Sequence, residues 1–349
     1  MSYVRPVGDF DEVVAALRDW LAGPGDERLL IETSGSSGTP KRVVLARDAV
    51  LASAAASAAR VGASGPWALA LPPSYVAGVN VVVRSLVAGH TPTLLERHGW
   101  PEGEGWFVSL VPTQLVRMLR TPADVEALRR CHTVLIGGGH VDPSLREAAA
   151  AAGVRVVATY GSAETCGGCV YDGLPLDGVA LAIGDPSTGS GGTGGRIRIG
   201  GPTLFDGYEG APELTDETLV DGWFLTSDAG RIDEDGRLHV VGRIDDVIVS
   251  GGVNVPGPAV AARLREHPGV VAAEVLGVPD EEWGSRVVAF VTWSRDGAGA
   301  PPRPTIGDVR DWVSGALPRA WAPRQLVLVP ELPMLPNGKT DRLRLRSLA

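Results

Sequence analysis

The segment Thr33-Ser34-Gly35-Ser36-Ser37-Gly38-Thr39-Pro40-Lys41 sets hydroxyl side chains, two glycines and a lysine directly behind a short apolar run. Glycine lets successive backbone N–H groups converge on one anion, while the hydroxyls and the Lys41 ammonium add donors and positive charge. That chemistry suits a polyphosphate. It is not the Walker P-loop pattern, which needs G-x-x-x-x-G-K-[ST] at the opening of a helix. Gly338-Lys339-Thr340 ends like that motif, but Pro333 stands where its first glycine belongs. By composition alone, residues 33–41 read equally well as an ordinary Ser/Gly turn.

A second group, Tyr160-Gly161-Ser162-Ala163-Glu164, follows apolar residues 155–159. A carboxylate beside glycine at the C-terminal end of a strand is well placed to hold Mg2+ near phosphates, and Tyr160 can stack on a base. Asp228, closing Gly222-Trp223-Phe224-Leu225-Thr226-Ser227-Asp228, can accept hydrogen bonds from a ribose diol. Arg243 and Asp245 fall at a change of texture in the chain, and Lys339 lies in Pro336-Asn337-Gly338-Lys339-Thr340-Asp341-Arg342. Taken singly, these are a surface glutamate with a core tyrosine, a turn aspartate, a solvated charge pair and a surface lysine in a β-turn. Cys166 and Cys169 form a lone C-x-x-C with no second pair at zinc spacing, so two small residues in a glycine-rich turn is the plainer reading.

The elements that must carry these groups can be read from periodicity. Val13, Leu17, Trp20 and Leu21 share a helical face over residues 11–22, with Gly23 as its C-cap. Leu29–Glu32 and Arg42–Leu45 read as strands flanking the serine-rich segment. Asp48 is expected to cap an alanine-rich helix running to Arg60. Strands at 67–71, 93–95, 108–110, 133–136 and 155–159 alternate with helices after Pro73, Pro112 and Asp142, which predicts an α/β fold with a largely parallel sheet. Beyond about residue 175, glycine-rich turns separate short strands at 195–199, 223–225, 230–233 and 238–241, an antiparallel pattern. After a junction at Gly242–Asp246 come a helix (256–267), strands 271–278 and 286–293, a helix (305–317) and a strand (325–329). The expected organisation is a large α/β domain, 1–243, and a small α+β domain, 244–349.

A length of 349 residues suits two domains, and 44% hydrophobic with 21% charged residues is a globular balance able to bury a core. The net charge of −9 argues against general affinity for nucleic acid or anionic lipid. Three cysteines fit a reducing cytosol better than a disulfide scaffold. The first residues lack the apolar core of a signal peptide, and no uncharged apolar run reaches the roughly 18 residues that span a bilayer. A cytoplasmic protein without membrane or nucleic-acid partners is expected, as a monomer or homodimer.

Read together and in this order, the segments from Thr33 to Arg342 resemble the adenylate-forming superfamily, which includes acyl-CoA synthetases and the adenylation domains of peptide synthetases. The resemblance implies that family's fold, a large N-terminal domain with a small mobile C-terminal one. It makes ATP, Mg2+ and coenzyme A the expected cofactor and co-substrates, with a small carboxylic acid as partner. The serine-rich segment matches the family's phosphate loop, so Thr33, Ser34, Gly35, Ser36, Ser37, Gly38 and Lys41 are implied nucleotide contacts, and Thr33 is also assigned a catalytic part. Gly138, Tyr160, Gly161 and Ser162 join them, and Glu164 is the implied metal ligand and catalytic carboxylate. Ala163 stands where the family has Thr, which leaves an α-phosphate contact either missing or supplied by a neighbour, Ser162 or Thr165. Asp228 matches the ribose-binding aspartate, with Ser227 in place of the usual Gly. Gly242-Arg243-Ile244-Asp245-Asp246 matches the hinge motif, with Arg243 toward the nucleotide and Asp245 as pivot. Gly251 and Gly252 match the loop lining the thiol tunnel, and Lys339 the catalytic lysine. A long section normally precedes the phosphate loop, so a subdomain is expected to be shortened or absent.

Segments 71–78, 109–115 and 161–168 look like the o-succinylbenzoate–CoA ligases of menaquinone biosynthesis. Tyr75, Ser109, Gly161 and Thr165 are then expected around the acid. That substrate carries two carboxylates, and Arg84, a cation inside an apolar run, is the expected partner of the one not activated. The alternative is that Arg84 snorkels or pairs with a structural carboxylate.

Overall fold

The computed structural model describes residues 2–33, 40–184, 194–294, 302–335 and 340–349, with Asp245 by its backbone alone. The chain divides into two compact units. One comprises the chain up to Leu181 together with Ile199–Leu225; the other comprises Ala182–Arg198, Thr226–Leu335 and the C-terminal residues.

In chain order the first unit opens with β1 (Tyr3–Val4), α1 (Phe10–Ala22), β2 (Arg28–Thr33), β3 (Lys41–Leu45) and α2 (Arg47–Val61). It continues with β4 (Trp67–Leu69), α3 (Val76–Val87), β5 (Thr93–Leu94), α4 (Leu95–His98), β6 (Phe107–Leu110), α5 (Pro112–Met118), α6 (Pro122–Arg130) and β7 (Thr133–Ile136). Then come α7 (Pro143–Ala151), β8 (Val156–Ser162), β9 (Gly167–Tyr171), β10 (Leu174–Pro175) and β11 (Ala180–Ile183). β12 (Gly195–Gly200), which starts in the second unit, leads to β13 (Gly207–Tyr208), α8 (Pro212–Thr218), β14 (Leu219–Val220) and β15 (Trp223–Ile232), whose residues from Thr226 onward belong to the second unit.

A seven-stranded sheet in the order β10-β9-β8-β7-β6-β4-β5 is the scaffold, parallel from β8 to β5. Its strands read as short apolar runs because both faces are covered: Val108, Leu110, Val134 and Ile136 pack with Leu115, Leu128, Leu145 and Ala149 from α5, α6 and α7. α1 is set by a capping box: the Asp9 carboxylate accepts from Glu12 N at 3.0 Å and Glu12 returns the bond to Asp9 N at 2.9 Å. The α2 start departs from expectation. Ala46 is the N-cap without a side-chain bond, and Asp48 sits inside the first turn, where its charge favours the positive end of the helix dipole. A second sheet, β1-β2-β3-β13, carries the hairpin of interest.

The second unit contains β16 (Leu238–Arg243), which pairs with the later half of β15, and the hairpin β17 (Val247–Ser250) and β18 (Val253–Pro256). Then follow α9 (Gly257–Arg265), β19 (Val270–Asp280), β20 (Gly284–Trp293), α10 (Ile306–Ser314), β21 (Gln325–Leu328) and α11 (Arg342–Arg346). Val260 and Leu264 of α9 and Val309 and Val313 of α10 pack on Val275, Ala289 and Val291 of the β19-β20-β21 sheet. The two strands expected at 223–225 and 230–233 are one strand, β15, with a bulge between Ala229 and Gly230. The bulge interrupts the alternation that would otherwise have marked a single strand. Among the described residues no helix is long and apolar enough to cross a membrane.

Candidate active site

β2 and β3 pair antiparallel up to Thr33↔Lys41, and the Thr33 hydroxyl donates to Lys41 O at 3.4 Å. Ser34, Gly35, Ser36, Ser37 and Gly38 lie outside the described residues. On the other edge of β3, β13 pairs through Tyr208↔Val43. The Tyr208 hydroxyl donates to Glu164 Oε1 at 2.9 Å, and Lys41 Nζ lies 5.2 Å from the Tyr208 ring centroid. Glu164 sits in the single 3-10 turn Ala163–Thr165 after β8, and its carbonyl accepts from Phe205 N at 3.0 Å. The base of the serine-rich hairpin and the carboxylate are therefore joined at one corner, through a tyrosine. Burial, and then the charge of Glu164, push the Tyr208 phenol up, so it remains a protonated donor.

Sequence reasoning missed Tyr208. Its local context, glycine-rich with aromatics, reads as core, and only its long-range pairing with β3 brings it to the carboxylate.

Four more expected residues stand at the carboxyl ends of neighbouring parallel strands: Ser109 at the penultimate position of β6, Gly138 just past β7, and Tyr160 and Gly161 late in β8. That edge is where open α/β sheets receive ligands. A Cβ on Gly161 would collide with the Gly167 carbonyl, so only glycine lets β9 approach there. The structure separates the two candidates left by Ala163. The Thr165 hydroxyl is spent on its own turn: it accepts from Ser162 N at 2.9 Å and donates to Gly167 O at 2.7 Å, fully buried. Ser162 Oγ is enclosed with no partner among the described residues.

Tyr75 is the N-cap residue of α3, half-buried and without a side-chain cap bond. Arg84, in the last turn of α3, is 8% exposed. Its Nη2 donates to the Tyr171 hydroxyl at 3.3 Å, its Cζ lies 5.3 Å from the Trp67 ring centroid, and its Nε has no partner among the described residues. Tyr171 faces Thr159 across β8 and β9, next to Tyr160, and shares its hydroxyl with Ser57 Oγ at 2.8 Å. No carboxylate among the described residues pairs with Arg84.

In the second unit, Asp228 is half-buried on β15 opposite Arg243 on β16. Asp228 N donates to Thr226 Oγ1 at 3.1 Å, and that hydroxyl donates to Ile197 O at 2.8 Å. Asp245 lies in the 3-10 turn Ile244–Asp246. Gly251 (φ 57°) and Gly252 (φ 78°) are the two-residue turn between β17 and β18, a left-handed pair that side chains other than glycine adopt at a cost. Lys339 lies outside the described residues. Its flanks are tied by a Met334↔Thr340 bridge and by Asp341 N donating to Pro333 O at 2.8 Å.

No group of three or more His, Cys, Asp or Glu among the described residues could cage a metal. A lone carboxylate with one oxygen engaged fits Mg2+ carried mainly by phosphates, the usual arrangement for that ion. Cys166 and Cys169 are buried with their thiols pushed up, chiefly by burial, the latter to about 11; neither is a nucleophile at neutral pH.

A doubly covered parallel sheet whose carboxyl ends gather hydroxyls, glycines and one carboxylate defines an α/β nucleotide-handling enzyme. Residues 17–209 match the AMP-binding enzyme family and residues 259–339 the AMP-binding enzyme C-terminal domain; the chain belongs to that family. It is 41% identical to a protein of Mycobacterium tuberculosis named probable 2-succinylbenzoate–CoA ligase, over 96% of this chain and 88% of the relative. Among solved structures it resembles o-succinylbenzoate CoA synthetase (MenE) of Bacillus subtilis in complex with the acyl-adenylate intermediate OSB-AMP. That match has a TM-score of 0.75 and 26% identity over 91% of this chain and 68% of the other. The same enzyme with ATP and magnesium ion matches with a TM-score of 0.73 and 26% identity, over 91% of this chain and 69% of the other.

Proposed function

We propose that this chain ligates 2-succinylbenzoate to coenzyme A with ATP, through an acyl-adenylate, giving AMP and pyrophosphate, in menaquinone biosynthesis. The observation that carries the reading is the corner at which Thr33 and Lys41, paired at the base of the serine-rich segment, are linked to Glu164 through Tyr208. The choice of acid is supported by the name of the 41% identical relative and by the OSB-AMP complex of the B. subtilis enzyme.

In the first step two anions must meet, the substrate carboxylate and the α-phosphate, and their repulsion is the main barrier. The hairpin residues, Lys41 and Lys339 supply fixed positive charge and donors where negative charge grows, and Thr33 orients the phosphates. Glu164 would hold Mg2+, which when bound neutralises phosphate charge. Ser162 Oγ, a donor without an acceptor among the described residues, takes the α-phosphate contact that Ala163 cannot make. Tyr160 and Gly138 border the base, and Asp228 with Arg243 holds the ribose. Tyr75, Ser109 and Gly161 line the acid, and Arg84 faces its second carboxylate. A carboxylate is already a nucleophile, so no general base is needed. In the second step the thiol attacks the acyl carbon and AMP leaves. Asp245 is the pivot that exchanges Lys339 for Gly251 and Gly252 along the pantetheine path.

The test is CoA-thioester formation with 2-succinylbenzoate against benzoate and a fatty acid. A preference of at least tenfold for 2-succinylbenzoate is expected; equal rates would sink the substrate assignment. Lys339→Ala is expected to bind ATP nearly as the wild type does while losing adenylate formation, read as acid-dependent pyrophosphate release. Persistent release would remove Lys339 from the first step.

A further inference from the structure

Tyr208 touches the proposed metal-binding carboxylate from a position that the serine-rich motif and the Tyr160–Glu164 motif do not include. We infer that Tyr208 is a positioning residue: its hydroxyl holds Glu164 Oε1, so that Oε2 is presented to the Mg2+ of the nucleotide. The inference rests on the proposed ATP chemistry and deepens it.

Four observations carry it. The hydroxyl–carboxylate distance is 2.9 Å, and Glu164 Oε2 has no hydrogen-bond partner among the described residues. The phenol is held from several sides: its backbone pairs with Val43, Tyr208 N donates to Thr215 Oγ1 at 2.9 Å, and its ring meets Phe205 edge-on at 5.0 Å. Tyr208 is 7% exposed, so its bond to Glu164 competes little with water. Lys41, the residue closing the phosphate hairpin, sets its ammonium 5.2 Å from the same ring centroid. One side chain thus fixes the rotamer of the carboxylate and ties it to the hairpin. A partner hydrogen-bonded to a ligating carboxylate orients it, and losing such a partner typically costs about 10–100-fold in metal affinity.

Tyr208→Phe keeps the ring and removes the donor. ATP binding is measured by calorimetry on the full chain, once with a metal chelator and once across a Mg2+ series. Without metal, Tyr208→Phe is expected to match the wild type. The Mg2+ concentration giving half of the affinity gain is expected to rise about tenfold. Glu164→Gln should abolish most of that gain, and adding Tyr208→Phe to it should do nothing more, because the tyrosine acts through the carboxylate. An unchanged Mg2+ series in Tyr208→Phe, or losses that simply add in the double variant, overturns the inference. If Tyr208→Phe does not fold, Tyr208→His, which keeps a ring but shortens the donor's reach, carries the test on the same Mg2+ series: the half-gain concentration is expected to rise, and an unchanged series overturns the inference. Ligation of an acid other than 2-succinylbenzoate would overturn the substrate reading and leave the Mg2+ series as described.

Discussion

Arg84 is an enclosed guanidinium whose partners among the described residues are a phenol and an indole, with no carboxylate. A buried charge without a counter-charge is costly unless an anion reaches it. A dicarboxylate substrate would supply one, and the Tyr171 hydroxyl holds one end of the guanidinium. A hydrogen bond to a charged group is worth about 1.5–3 kcal/mol, so Arg84→Met, which keeps most of the stem, should raise KM for 2-succinylbenzoate about 10–100-fold. KM for ATP should stay within about twofold, and a matching rise in both would mean that Arg84 is structural. At this scale the sequence disclosed residue types but not their partners. Arg84 was visible as a cation in an apolar run; Tyr171, which fixes its direction, was not. Ser162 and Thr165 were indistinguishable as hydroxyls until the turn at Ala163–Thr165 showed that Thr165 is consumed by backbone groups.

Elements with strong periodicity were legible, and elements defined by distant pairing were not. The run Thr133–Ile136 and the helices after Pro112 and Asp142 follow from local pattern and proline placement alone. β13 is two residues long and exists only because β3 is there to pair with it. The β17–β18 hairpin lies between: Gly251-Gly252 is a strong turn signal, while its neighbour Trp283 comes from far along the chain. That difference gives a paired prediction. Gly252 has open space around its Cα, so Gly252→Ala carries only the left-handed backbone cost, about 1 kcal/mol. Gly251 donates its N–H to Trp283 O at 2.9 Å, and a Cβ there would strike the Trp283 ring, so Gly251→Ala adds a steric cost and should lose roughly 2–4 kcal/mol. Urea unfolding of the two variants checks the order. If the turn also lines the thiol path, thioester formation should fall in Gly252→Ala while acid-dependent pyrophosphate release does not.

At the scale of the whole chain, the C-terminal residues that follow Lys339 are tied back to the residue after the proposed pivot. Arg342 Nη1 donates to Asp246 Oδ1 at 2.5 Å and its Nε to Glu274 Oε1 at 2.8 Å, so α11, β19 and the turn Ile244–Asp246 share one cation. Nothing local marks this in the sequence, since Arg342 and Asp246 are 96 residues apart. Burial pushes the Glu274 carboxyl up from its usual 4.5, and Arg342 opposes that shift. The sign follows from linkage: a carboxyl raised in the folded state contributes stability below its unfolded value, and loses it as pH rises through the folded one. Glu274 therefore disfavours folding in its charged form, and Arg342 limits the loss. Arg342→Leu leaves two poorly hydrated carboxylates together. The deficit at pH 7 should be about 2 kcal/mol, below the roughly 3–5 kcal/mol of a fully buried pair, because the Arg342 side chain keeps 31% exposure. It should shrink as the pH falls toward 5, where Glu274, without its cation, takes up a proton. Adding Glu274→Gln to Arg342→Leu should recover part of the pH 7 deficit and flatten its pH dependence. Thermal unfolding at pH 5 and pH 7 reads both; a deficit in Arg342→Leu that is the same at the two values would show that the three side chains are not electrostatically coupled in solution.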